Sequence, residues 1–168
     1  KQKTTLVEFL GCSRLASIIV DGYLFVHAGI MEKLTNHVSK INENIVPTIN
    51  QTIKSWLLST YDEKDKTFIN SLISGNELSP FWPRIFGSIE RHLDIESDEC
   101  KKMVQPVLTA LSIKGMIVGH TPQMKVNINS TCSNTIWRVD VASSQAFDEV
   151  IFSGVKHDDK QHIQKGRL

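Results

Sequence analysis

The first clear hydrophobic pattern in this 168-residue chain is a pair of apolar runs around a turn. Residues 15–20 are largely apolar, Asp21-Gly22 follows, and residues 23–26 resume the apolar run. Asp-Gly tolerates the positive φ angles of a tight turn, so this segment predicts a β-hairpin. A later apolar run at residues 116–118 predicts a short buried strand.

Between and after these runs, the pattern changes to one with helical spacing. Residues 31–73 and 98–111 place apolar side chains on one helical face, and Pro47 is expected to start a new helix within the first of them. Residues 135–141 and 147–155 predict two further strands. Strands mixed with helices indicate an α/β or α+β domain.

Composition narrows the class of protein. The net charge of +1 gives no basic field for nucleic acid, and no window approaches the ~18 apolar residues of a membrane span. The three cysteines are far apart and odd in number, so we expect free, buried thiols in a reducing cell and, without a targeting segment, a cytoplasmic protein. Lys1 is not a methionine and Leu168 closes no element, so we expect a piece of a longer chain.

Two of the apolar runs end in a histidine. Residues 23–26 lead into His27, and residues 116–118 lead through Gly119 to His120. A side chain at the carboxyl end of a strand points into the crevice where ligands of layered α/β folds sit. Two imidazoles that meet there are good ligands for Zn, Mn or Fe. A histidine beside an apolar run is also often an ordinary hydrogen-bonded residue, and the pattern alone leaves both interpretations open.

Four short segments follow one another in a recognisable order. They read FVHAGI at residues 25–30, SPFWPR at 79–84, VGHTPQ at 118–123 and WRVDV at 137–141. In this order they resemble the HGG-type, P-L-W-x-R, VGHTPQ and W-R-I-D-V motifs of the calcineurin-like metallophosphoesterases, in particular those of the Shewanella-like protein phosphatases. Ala28 stands where the family has a glycine. The resemblance implies the second half of a four-layer α/β/β/α sandwich with a helical insertion.

The resemblance also implies roles for four residues. His27 and His120 would bind one ion of a centre of two divalent metals (Mn, Fe or Zn). Arg84 would hold the substrate phosphate through its planar guanidinium, and Asp140 would accept a hydrogen bond that orients a metal ligand. The implied activity is phosphomonoester hydrolysis, in which a hydroxide that bridges the metals attacks phosphorus. The implied substrate is a phosphoprotein or a nucleotide.

The family's first-half motifs, G-D-x-H, G-D-x-x-D-R-G and G-N-H-E, do not occur in the sequence. They supply the remaining ligands and the acid–base histidine, so we expect no catalytic acid or base within this chain and no activity from the chain alone. Residues 1–155 would form the C-terminal portion of the phosphoesterase domain, with residues 31–73 as a helical insertion that caps the site. Residues 156–168 would be a polar tail that leads to a closing strand outside the sequence.

Two other interpretations stay open. The chain could be a non-catalytic pseudophosphatase that binds phosphate or a partner, or a structural protein built around the helices of residues 31–73. The metal interpretation makes a geometric prediction that the others do not. The nearest ring nitrogens of His27 and His120 should lie within about 6 Å, at the same end of neighbouring strands. Arg84 should face the same hollow, with Asp140 behind it.

Overall fold

A computed structural model of the chain describes residues 5–40 and 44–144. Over these residues, short helices alternate with short strands, and a turn of 3₁₀ helix at Glu63–Asp65 precedes the fourth α-helix. The elements in chain order are α1 Leu6–Ser13, β1 Ser17–Val20, β2 Tyr23–Val26, α2 Glu32–Ser39, α3 Ile45–Leu57, α4 Lys66–Ile73, α5 Ile85–Ser88, α6 Asp98–Met103, α7 Gln105–Leu111, β3 Gly115–Val118, β4 Asn129–Thr131 and β5 Ile136–Arg138.

The strands of the described residues form one five-stranded mixed sheet in the order β1-β2-β3-β5-β4. β2, β3 and β5 are parallel, while β1 and β4 pair antiparallel at the two edges. The parallel pairing of β2 with β3 matters most for function, because it brings the carboxyl ends of both strands to one edge of the sheet. The predicted mixture of strands and helices, an α/β or α+β domain, is confirmed.

The predicted hairpin is confirmed. β1 and β2 are joined by Asp21 and Gly22, with φ angles of 48° and 79°. Val20 pairs with Tyr23, so the connection has two residues. Positive φ at both positions is the geometry of a type I′ turn, whose twist matches that of the flanking strands.

One face of the sheet carries the core. Leu24 and Met116 are fully buried there, and Val26 and Val118 are nearly so. The helices of residues 31–73 join the same core, to which they contribute buried side chains (Leu34, Val38, Ile45, Ile49 and Leu72). The predicted helical insertion is therefore packed against the sheet rather than standing apart from it.

The single helix predicted over residues 98–111 is wrong. α6 ends at Met103, and α7 begins at Gln105 after an irregular Val104. Pro106 explains the break, since it has no N–H to donate to the carbonyl of Lys102 and its ring would clash with that carbonyl.

Several other predictions differ in extent. The predicted strand at 135–141 is observed only as β5, and the strand at 147–155 and the tail at 156–168 lie outside the described residues. α1 and β4 were not predicted. The sequence does contain a signal for the start of α1, because Thr5 and Glu8 are spaced to form the capping box that is observed there.

The expectation of three free, buried thiols is wrong. Cys100 and Cys132 form a disulfide, with both residues fully buried, whereas Cys12 is free and exposed. The two bonded residues are 32 positions apart in sequence, and they meet because the fold lays α6 against the connection between β4 and β5. Spacing alone could not show this contact.

Within the described ranges, no helix has the length and apolar character needed to cross a membrane.

Candidate active site

The two histidines singled out in the sequence lie side by side. They follow β2 and β3, where Val26 pairs with Val118, and the N–H of Gly119 donates to the carbonyl of His27 at 2.8 Å. Nε2 of His27 is 3.1 Å from Nδ1 of His120, and the ring centroids are 5.0 Å apart. The predicted proximity at the ends of neighbouring strands is confirmed.

The loop after β2 is shaped by Gly29. Its φ is 127°, a conformation that favours glycine, and a Cβ at this position would lie 2.2 Å from Cδ2 of the fully buried Phe86. The N–H of Ala28 donates to the carbonyl of Pro80 at 3.0 Å, which ties the loop to the segment that carries Arg84. The small residues after His27 thus let the backbone pack directly on α5 and the loop before it.

The loop after β3 is strained at the histidine itself. His120 has a φ of 63°, in the left-handed region that a non-glycine residue seldom adopts. Residues held in this region often cluster at functional sites, where the surrounding structure fixes them. The N–H of Thr121 bonds the carbonyl of Gly119, and the N–H of Gln123 bonds that of Asp140, each at 2.7 Å.

The surroundings of His120 disfavour its charged form. Burial lowers the pKa of His120 below the ordinary value for histidine, and the positive charges of Arg84 and His27 lower it further, while Asp140 acts in the opposite direction. A neutral imidazole has a free lone pair on one nitrogen, which is the form that binds a metal ion. His27 is exposed and His120 is half-buried, so the pair opens to solvent.

Arg84 immediately precedes α5 and is exposed. Its charge acts on His120, which places the guanidinium in the electrostatic surroundings of the histidine pair. α5 itself is held close to the loop that carries His120, since a Cβ at Gly87 would lie 2.2 Å from Cβ of Thr121. The predicted role of Arg84 in phosphate binding stays a prediction.

Two buried side chains that the sequence reasoning missed hold the end of α5. Arg138, 2% exposed, donates from Nη1 to the carbonyls of Ile89 at 2.6 Å and Gly87 at 3.4 Å. Nε2 of Gln123 donates to the same Gly87 carbonyl at 3.1 Å. Gln123 and Arg138 both lie within the quoted motifs, so the motifs contain structural supports as well as candidate ligands.

Asp140 lies directly behind the histidine loop. A Cβ at Gly119 would be 3.7 Å from Cβ of Asp140. The Asp140 carboxylate accepts from the N–H of Ala142 at 3.0 Å, and its charge partly offsets the lowering of the pKa of His120. That arrangement orders the turn after β5. The predicted hydrogen bond from a metal ligand to Asp140 stays a prediction.

A groove of about 440 Å³ opens beside the histidine pair. Its walls are apolar and come from α3, from the end of α4 and from the loop before α5. The lining residues are His27, Ile53, Trp56, Ile73, Phe81, Trp82 and His120. Nε1 of Trp82 donates to the carbonyl of Ile73 at 2.9 Å, and the Trp82 ring meets His120 edge-on at 5.6 Å between centroids. Ile53 and Trp56 belong to the apolar helical face that the pattern of residues 31–73 predicts, and this part of the face lines the groove.

The histidine pair brings two imidazole ring nitrogens together. Within the part of the chain that the structure describes, no group of three or more histidine, cysteine or acidic residues could hold a metal ion. Nε2 of His27 and Nδ1 of His120 lie 3.1 Å apart, a distance that suits adjacent ligands of one ion as well as a hydrogen bond between the two rings, so the residues present fit part of a metal site.

Comparison with known proteins identified one protein with a similar sequence and one solved structure with a similar fold. No family model matches the chain. The chain is 31% identical over 160 residues to the uncharacterized protein R398 of Acanthamoeba polyphaga mimivirus, a match that covers 88% of this chain and 64% of that protein. The chain therefore spans slightly less than two thirds of the length of this relative.

One solved structure resembles this fold. It is a mutant cold-active protein tyrosine phosphatase, with a TM-score of 0.53 and 17% identity over 76% of this chain and 34% of that one. At this identity the likeness shows the fold alone. The matched three quarters of this chain thus share the fold of about a third of that protein.

Proposed function

We propose that this chain is the part of a metal-dependent phosphatase that contributes two histidine ligands and a phosphate-binding arginine. The observation that carries the proposal is the 3.1 Å separation between Nε2 of His27 and Nδ1 of His120. Two ligands at ~2.1 Å from one ion, at octahedral or tetrahedral angles, have donor atoms roughly 3.0–3.4 Å apart. The order of the four motifs and the fold shared with a phosphatase support the same proposal.

In this proposal each of the site residues has a defined role. His27 and His120 hold one divalent ion (Mn, Fe or Zn), and the burial that lowers the pKa of His120 favours the neutral imidazole that binds a metal. When bound, such an ion supplies Lewis-acid polarisation of a phosphoryl oxygen. Arg84 pairs with the phosphate, and the bonds of Gln123 and Arg138 to the end of α5 limit the movement of the segment that presents it.

The remaining ligands and the acid–base group would come from residues outside this chain, in a second layer on the sheet. The face opposite the helices supports this part of the proposal. Ile18, Val20 and Phe25 point to that face and are 43%, 51% and 41% exposed. A second sheet packed there would bury these side chains and would complete the four-layer sandwich.

The proposal is tested on the complete gene product. We expect hydrolysis of p-nitrophenyl phosphate that needs Mn²⁺ and that falls at least about 100-fold in His27→Ala and His120→Ala. His37→Ala is the matched control, because His37 is an exposed histidine that stacks on Phe68 in the helical insertion. Turnover that survives a chelator, or that is unchanged in both site variants, would contradict the proposal.

The chain on its own provides a second arm. Residues 1–168 should bind a divalent ion but hydrolyse p-nitrophenyl phosphate negligibly, because two imidazoles are only part of the required site. Robust Mn²⁺-dependent turnover by this chain would contradict the division of the site. Metal binding by the complete gene product with no turnover would favour the non-catalytic binding module instead.

A further inference from the structure

We propose that Trp82 is a positioning residue for the metal site: anchored to the end of α4, it holds the His120 ring so that Nδ1 faces His27. The inference rests on the proposed function, since it takes His27 and His120 as ligands of one ion. It goes further because it gives a role to a residue outside the ligand set, and because it connects the helical insertion to metal binding.

The backbone fixes the place of the His120 ring but not its orientation. His120 has a φ of 63°, and the N–H of Gly119 beside it donates to the carbonyl of His27, so the two rings are brought together. Rotation of an imidazole about its Cβ–Cγ bond is soft, with two broad minima. A half-turn about this bond would place the carbon Cδ2 where Nδ1 now lies, 3.1 Å from Nε2 of His27. Metal binding by both rings therefore requires the observed orientation to be held.

The indole of Trp82 packs edge-on against the His120 ring. The two rings are nearly perpendicular, at 82°, with centroids 5.6 Å apart. Perpendicular contact is one of the arrangements that aromatic rings prefer. The ring of His120 therefore contacts two other rings, that of His27 at 5.0 Å and that of Trp82, and these contacts restrict its rotation.

The backbone of Trp82 favours one of the two orientations. Nε2 of His120 is buried and has no full hydrogen bond to any of the described residues. Burial is the main cause that lowers the pKa of His120, and the Trp82 backbone opposes it as a hydrogen-bond acceptor. Because Nδ1 faces His27, Nε2 is the nitrogen that can carry the proton for this acceptor. A neutral ring with its proton on Nε2 has its lone pair on Nδ1, the form that binds a metal there.

Trp82 itself is held by the end of α4. Its Nε1–H donates to the carbonyl of Ile73, the last residue of that helix, at 2.9 Å. The last carbonyls of a helix have no partner within the helix, so this bond satisfies a group that would otherwise need water. The same segment is tied to the loop after β2, because the carbonyl of Pro80 accepts from the N–H of Ala28 at 3.0 Å. The indole is therefore fixed although it is 52% exposed.

Ring tautomers provide the first test, on the metal-free chain. At about pH 8, where an ordinary histidine is neutral, long-range proton–nitrogen NMR spectra show which ring nitrogen carries the proton. We expect the proton of His120 on Nε2, and we expect Trp82→Ala to give a mixture of the two tautomers. Trp56→Ala is the matched control and should leave the tautomer unchanged. Trp56 lines the same groove and, among the described residues, makes no ring contact with either histidine.

Zinc affinity provides the second test, by calorimetric titration. Trp82→Ala should lower the affinity for Zn²⁺ at least about tenfold, as removal of a group that orients a ligand commonly does. Trp82→Phe keeps an aromatic ring beside His120 and should retain the affinity within about threefold, whereas Trp82→Leu keeps apolar bulk without a ring and should lose at least about tenfold. The urea midpoint of each variant is measured alongside. If Trp82→Ala does not fold, the comparison of Trp82→Phe with Trp82→Leu carries the test.

The outcomes separate the two proposals. Suppose that His27→Ala and His120→Ala lower Zn²⁺ affinity, but that the Trp82 variants change neither this affinity nor the His120 tautomer. The positioning role is then overturned, and the proposed function stands. Equal losses in Trp82→Phe and Trp82→Leu, or an equal effect of Trp56→Ala, would also overturn it, because the ring contact would not be the cause. If His27→Ala and His120→Ala leave Zn²⁺ affinity unchanged, the proposed function fails, and this inference fails with it.

Discussion

Breaking the Cys100–Cys132 disulfide should lower the free energy of unfolding by several kcal/mol. The bond closes a loop with a sequence separation of 32. The chain-entropy estimate for a loop of that length is about 12 cal/mol/K, or about 3.7 kcal/mol at 25 °C. For a chain of 168 residues, a change of this size corresponds to a decrease in Tm of roughly 7–15 °C.

The position of the disulfide explains why its loss should destabilise the whole fold. Cys100 lies on α6, and Cys132 lies between β4 and β5, so the bond joins the helical layer to the edge of the sheet. Both residues are fully buried within the core cluster. A reductant would therefore reach the bond poorly in the native state, and reduction should be carried out on the unfolded chain before refolding.

The assay compares urea unfolding of a Cys12→Ser chain refolded with and without a reductant. This comparison keeps the sequence constant and removes the one free, exposed thiol among the described residues. The reduced chain should unfold at a lower urea concentration, with a similar slope. If the two refolded chains have the same urea midpoint, the disulfide does not form or does not constrain the unfolded chain, and the reasoning is refuted.

Three further changes should separate packing from chemistry. Gly29→Ala should lower the free energy of unfolding in urea by more than about 2 kcal/mol, since the φ of 127° at Gly29 and its approach to Phe86 leave no room for a Cβ. Gly75→Ala, where the nearest contact to a Cβ is at 3.9 Å, should lower it by less than about 1 kcal/mol. Equal losses in the two variants would contradict the packing. Leu24→Ala should cost roughly 2–5 kcal/mol by the same measurement because Leu24 is fully buried, and a loss below 1 kcal/mol would be inconsistent with that burial. Arg84→Ala should leave the urea midpoint unchanged while it weakens phosphonate binding by NMR titration, and the opposite result would make Arg84 structural.

The sequence predicted the parts of the fold that depend on neighbouring residues. Asp21-Gly22 between two apolar runs has one favourable local solution, the type I′ hairpin that is observed. The run at 116–118 ends at His120, as that at 23–26 ends at His27, and the parallel pairing of β2 with β3 brings these ends together. Pairing between strands that are some ninety residues apart was inferred from the motifs, because local pattern carries no information about it.

The parts that were missed depend on contacts between distant residues. The fold brings together Cys100 and Cys132, which no spacing rule connects. Arg138 lies in a strand of alternating character, where an arginine predicts an exposed side chain, yet it is buried because the carbonyls of Gly87 and Ile89 accept its hydrogen bonds. The break before α7 is different, since Pro106 was visible in the sequence and predicts an interrupted helix by its chemistry alone.

Zinc binding to the purified chain tests the central claim most directly. Calorimetric titration of metal-free protein should show a Zn²⁺ site that depends on the nitrogens found 3.1 Å apart. The affinity of this site should fall at least about tenfold in His27→Ala and in His120→Ala, equal to 1.4 kcal/mol or more, and should be unchanged in the control His37→Ala. Affinity that is unchanged in both site variants, or that falls equally in the control, would show that the two histidines do not form a metal site.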